Sequence, residues 1–147
     1  MLKAYKYRIY PTEDQKELMS KIFGCVRFVY NLGLETKIQA YTAARVNIDC
    51  FTLNKQITDL KKDVTWLADV PAQSLQASMA NLDNAYTNFF RGREFPKFKN
   101  KHVKQSFNIV QYASSIEQAL SKKRANGFQI ISMNTLSKDI KKLKVKK

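Results

Sequence analysis

The stretch TEDQKELMSKIFGCVRFVYNLGLETKIQAY, from Thr12 to Tyr41, decides the fold. Apolar side chains recur at Leu18, Ile22, Val26, Val29 and Tyr30, then at Leu34, Ile38 and Tyr41, the three-or-four spacing of a helix with one buried face. Its start is marked. Thr12-x-x-Gln15 is a capping-box pattern, and Glu13 and Asp14 place negative charge at the positive end of the helix. Gly24 costs about 1 kcal/mol against Ala there and marks either a close packing contact or a break.

Upstream, LKAYKYRIY (residues 2–10) alternates. Tyr5, Tyr7 and Ile9 share one face, and Lys6 and Arg8 share the other with Ala4 and Tyr10, which predicts a half-buried strand with a basic outer face ended by Pro11. Downstream, residues 42–51 read as a loop. A short helix follows from Thr52 to Lys62 with Leu53, Ile57 and Leu60 on one stripe, and Trp66 and Leu67 are expected to plug the core. Pro71 suits the first turn of a further helix, whose seam is Leu75, Met79, Leu82, Tyr86 and Phe89. Gly92 and Pro96 argue against regular helix in the run that follows. SFNIV (106–110) and GFQIISM (127–133) read as short strands, with a turn at 121–127, and KDIKKLKVKK (138–147) as a last strand or solvated charge. A lone first strand needs partners. The expected class is therefore α+β, with a bundle of three to four helices inserted between the first strand and the later strands of a small β-barrel or sheet.

Charge divides the chain. Of 147 residues, 26 are Lys or Arg and 12 are Asp or Glu, a net of +14. Residues 1–90 are almost neutral, with 11 basic residues against 9 acidic, whereas residues 91–147 carry 15 against 3. Such an excess attracts polyanions, nucleic acid before anionic membrane, and the basic part shows no amphipathic helix for lying on a membrane. Cys25, Cys50 and His102 show no metal-ligand spacing, so no metal and no cofactor is expected. The absence of an apolar leader and of a run of roughly 20 apolar residues points to the cytoplasm.

The acids of the first 90 residues fall mostly at helix starts or on polar faces, and no Walker A, GxSxG or HExxH pattern occurs. No enzymatic activity of this chain alone is expected. Binding is better supported. Arg91, Arg93, Lys97, Lys99, Lys101 and Lys104 are interleaved with Phe95, Phe98 and Phe107, so phosphate contacts and ring stacking on unpaired bases stand side by side. Packing of Phe95 and Phe98 into the core is the plainer reading for those rings, and it leaves the lysines outward. At the start of the helix after Pro71, Gln73 and Gln76 lie near one face, and Gln pairs bidentately with adenine in the major groove. Asn54, early in the preceding helix, is a third candidate of the same kind.

Six segments resemble the TnpB (OrfB) proteins of small insertion sequences: YKYRIYPTEDQ (5–15), GCVRFVYN (24–31), LNKQITDLKK (53–62), WLADVPAQSLQ (66–76), LDNAYTNFFRG (82–92) and FPKFKNK (95–101). The resemblance covers about residues 2–110 and implies a division into a small β wedge-like domain, residues 1–10 with 91–147, and a helical, helix-turn-helix-like recognition lobe, residues 11–90. It implies guide RNA and a short double-stranded DNA motif as partners. By the resemblance, Asn54, Gln73 and Gln76 are expected at or near motif-reading positions and Lys97, Lys99 and Lys101 on the nucleic-acid backbone, while Lys6, Arg8, Arg91, Arg93 and Lys104 are further backbone candidates by their charge. In that family RuvC-type acids and a four-cysteine zinc ribbon follow the wedge, and the sequence stops before both, so binding without cutting is expected. Three rival readings stand beside it: a stand-alone helix-turn-helix regulator, a non-functional truncated remnant, and a subunit completed by a separate nuclease chain.

Overall fold

The computed structural model describes residues 8–109 and 128–131. Within them lie four helices, α1 (Glu13–Ala44), α2 (Cys50–Asp63), α3 (Thr65–Ala68) and α4 (Ala72–Phe90), and two short strands, β1 (Ser106–Ile109) and β2 (Phe128–Ile131).

α1 runs unbroken for 32 residues. Its start is the expected capping box: the Thr12 hydroxyl accepts from the Gln15 amide, and the Gln15 side chain accepts from the Thr12 amide at 3.1 Å. Gly24 does not break it. The helix ends where Arg45 turns left-handed (φ 55°) and gives its amide to the Tyr41 carbonyl at 2.9 Å.

At 100° per residue, the buried residues of α1 spread over about half its circumference, because three elements pack on it. Val26, Gly33 and Lys37 face α4: the Ser78 hydroxyl donates to the Val26 carbonyl at 3.0 Å, and Lys37 reaches Asp83 at 3.2 Å. At Gly33 the helices approach so closely that a Cβ would stand 3.0 Å from Leu82 and Met79. Val29, Leu32 and Thr36 face Leu53, Ile57 and Leu60 of α2 across a shallow groove floored by Met79. The third side, Phe23 to Asn31, receives the chain that follows α4.

Asp49 caps α2 by accepting from the Thr52 amide at 2.8 Å, which holds its carboxyl below the usual range. After α2 the chain turns through α3, where Leu67 is fully buried. Trp66, expected in the core, is instead 43% exposed and rests edge-on against Phe28 at 5.2 Å. α4 buries Leu75, Met79 and Leu82 as its spacing predicts, while Phe89 lies at the rim.

The expected α+β architecture is corrected. The described residues are mostly helical, and the strands there amount to one two-stranded antiparallel ribbon, with Ser106 opposite Ile131 and Ile109 opposite Phe128. No barrel forms among the described residues. Residues 8–10, the described part of the expected first strand, are not strand; residues 2–7, the turn at 121–127 and the segment 138–147 lie outside the described residues. The reason is packing. The helices close one core among themselves, and β1 covers its face by setting Phe107 edge-on against Phe23 of α1 at 5.2 Å.

Candidate nucleic-acid interface

α4 ends in a Schellman motif. The Gly92 amide donates to the Phe89 carbonyl at 2.9 Å and the Arg93 amide to the Asn88 carbonyl at 3.1 Å, with Gly92 at φ +89°. The motif fixes Arg91 and Arg93, both exposed, on either side of a sharp reversal.

The chain then runs back along α1. Phe95 meets Tyr86 and Phe89 edge-on, and Tyr86 in turn lies under Lys37. Lys99 is gripped by Asn31, whose amide donates to the Lys99 carbonyl at 2.9 Å and accepts from the Lys99 amide at 2.8 Å. Gln105 accepts from Arg27 at 3.4 Å, and Phe107 meets Phe23. The contact points on α1 thus descend through Asn31, Arg27 and Phe23, one stripe of about 12 Å at 1.5 Å per residue. Asn100 completes the strap by accepting from the His102 and Val103 amides at 2.9 and 3.1 Å.

The cations differ along this strap. Lys101 and Lys104 are exposed. Lys97 is exposed and paired with Glu94 at 2.5 Å, which holds the Glu94 carboxyl below its usual range. Lys99 turns inward: its ammonium sits 4.0 Å from the centre of the Tyr30 ring, and burial lowers its pKa. Arg8 is exposed, and Lys6 lies outside the described residues.

The three polar candidates lie on two helices, Asn54 on α2 and Gln73 and Gln76 on α4. Gln76 is exposed and Gln73 half-buried in the first turns of α4, whose N-terminus has no side-chain cap. α2 packs against α4, and Cys50 feels the charge of Asp83. Asn54 lies one turn from Cys50 on α2. It is half-buried, its Nδ2 lies 3.6 Å from Cys50 Sγ, and its Oδ1 is buried without a partner. Burial raises both thiols, Cys25 and Cys50, which makes them poor nucleophiles. Among the described residues no three His, Cys, Asp or Glu side chains gather as for a metal, and no helix is long and apolar enough to cross a membrane.

Two residues that shape this surface escaped the sequence reading. Asn31 sits inside an apolar helix face where Asn is a poor helix former, a signal that its side chain holds something else. Phe90 carries no signal in the pattern, because it follows Phe89 on the seam and reads as more of the same.

Fold and surface together define a helical module that presents a cationic strap braced along one long helix. Residues 1–45 match a family described as a helix-turn-helix domain, that of the OrfB proteins. Of those residues, the described ones form α1, while helices joined by short turns follow in α2 to α4. The chain is 34% identical over 116 residues, 77% of its length, to a Streptomyces pristinaespiralis protein provisionally named an RNA-guided DNA endonuclease. It is 33% identical over 113 residues to InsQ of Escherichia coli, named in the same way. It is 38% identical over 119 residues, 71% of its length, to virulence protein VsdF of Salmonella dublin. The chain spans 28% of the length of each endonuclease relative and 98% of VsdF. The chain belongs to the TnpB/OrfB family and carries the family's helix-turn-helix domain at its N-terminal end.

Proposed function

We propose that this chain is a nucleic-acid-binding module that grips a phosphate backbone along the strap from Arg91 to Lys104. One observation carries the reading: the outward cations Arg91, Arg93, Lys97, Lys101 and Lys104 stand on a backbone tied to α1 by both hydrogen bonds of Asn31. Tying the backbone before the partner arrives lowers the ordering cost of binding, and each neutralised phosphate releases counterions. Lys99 serves as a strut against Tyr30. The names of the endonuclease relatives support a guide-type RNA and DNA as partners, and this reading takes the DNA as a double strand. Gln73 and Gln76, at an uncapped helix start, and Asn54 on α2 are placed by this reading against DNA bases. The chain itself binds without cutting.

The test is a gel-shift series over a range of salt with structured RNA and duplex DNA. Binding is expected to weaken steeply with salt, and Lys101→Gln and Lys104→Gln are each expected to reduce the salt slope by about 1. No binding to either nucleic acid at low salt overturns the proposal. A stand-alone regulator that reads DNA through Gln76 predicts something more specific: Gln73→Ala and Gln76→Ala then relax preference at particular bases and leave RNA binding alone.

A further inference from the structure

The end of α4 exposes more aromatic surface than a finished core leaves. Phe90 is 75% exposed, Phe98 52%, Phe95 43% and Phe89 37%. Phe95, Phe89 and Phe90 brace one another. Phe95 is held edge-on by Tyr86 (83°, 5.6 Å between centres) and by Phe89 (84°, 5.2 Å), and Phe89 leans on Phe90 at 5.4 Å. Arg91 and Arg93 stand beside this platform, fixed by the Schellman motif, and the nearby carboxylate, Glu94, is taken up by Lys97.

The geometry points to a stacking site for unpaired nucleotides at Phe90 and Phe98, with Arg91 and Arg93 holding the flanking phosphates. A partner for this surface must bring a flat apolar face and negative charge within a few ångströms of each other. A nucleotide does both, since its base carries a π face and its phosphate a charge. A duplex hides those faces inside its own stack, so the occupant is a single strand or an unpaired loop. The inference rests on the strap reading above and adds the kind of nucleic acid that it takes.

The full chain is titrated at low salt by fluorescence anisotropy with three probes: a ten-nucleotide DNA single strand, an all-abasic strand of equal length, and a duplex. The natural chain is expected to prefer the base-bearing strand over the abasic one by about tenfold. Phe90→Ala with Phe98→Ala is expected to remove that preference while leaving abasic binding unchanged, and Phe90→Tyr to retain it. Both rings lie largely outside the core, and thermal melting of the variant checks that the fold persists. Equal binding of base-bearing and abasic strands by the natural chain overturns the stacking site and spares the strap. Failure to bind any probe overturns both. Self-association of the natural chain that Phe90→Ala abolishes, seen by sedimentation, also overturns the site and assigns the patch to a second copy of the chain.

Discussion

Asn31 holds Lys99 by both of its backbone groups, donating to the carbonyl at 2.9 Å and accepting from the amide at 2.8 Å across 68 positions of sequence. One side chain thereby converts an irregular basic segment into a fixed rib on α1. Each bond contributes on the order of 1 kcal/mol, and a half-buried backbone group left without its partner costs more than the bond was worth.

Removing that grip is therefore expected to act locally first. Asn31→Ala should cost about 1–3 kcal/mol in urea unfolding. It should also speed hydrogen exchange at the Lys99 amide, while exchange in the middle of α4 stays protected until global unfolding. Unchanged exchange at Lys99 would show that the segment is held by its aromatic contacts alone.

The two glycines of α1 should respond in opposite directions to the same change. A methyl group added at Gly24 would have nothing within 4 Å of it, so Gly24→Ala gains helix propensity of up to about 1 kcal/mol. At Gly33 the methyl meets Leu82 and both Sδ and Cε of Met79 at 3.0 Å. Gly33→Ala gains the same propensity but must push two core side chains aside, for a net loss of about 1–2 kcal/mol. Melting temperatures of the two variants measured side by side decide this.

Lys37 is 5% exposed and pairs with Asp83, whose carboxylate is half in solvent. Removing the carboxylate leaves a buried cation, whereas replacing the cation by an apolar chain leaves only a half-exposed carboxylate that water can satisfy. Asp83→Asn is expected to destabilise by about 1–3 kcal/mol, less than a fully buried pair because solvent screens Asp83. Lys37→Met should stay within about 1 kcal/mol of the natural chain, keeping its packing against Tyr86. Urea midpoints in the reverse order would mean that the pair is not what holds α1 to α4 there.

Glu94 competes with any phosphate for Lys97. Its carboxyl is held below the usual value by the Lys97 hydrogen bond and charge, so the pair persists above the ordinary carboxylate range and is lost as pH falls through the lowered value. Acidification through that window should release Lys97 and tighten nucleic-acid binding. Glu94→Gln should bind more tightly than the natural chain at neutral pH and should lose this Glu94-dependent part of the pH response. The comparison needs low salt, where an exposed pair is least screened.

The sequence by itself determined the helices. The Thr12–Gln15 capping box and the spacing from Leu18 to Tyr41 are local, so α1 was legible to within a few residues, and the seam of Leu75, Met79 and Leu82 likewise placed α4. The step from near-neutral to strongly basic at Arg91 was visible for the same reason: charge is a property of residues, not of contacts. Tertiary structure alone decided the rest. A strand's partners come from distant sequence, and the helices here closed their own core, leaving a two-stranded ribbon in place of the barrel among the described residues. Lys99 and Lys101 read alike in FPKFKNK, yet one lies against Tyr30 and the other faces solvent, because Asn31 sets the direction of the strap. Phe89 and Phe90 likewise differ only by 100° of helix rotation, and that angle puts one ring at the rim and the other in water.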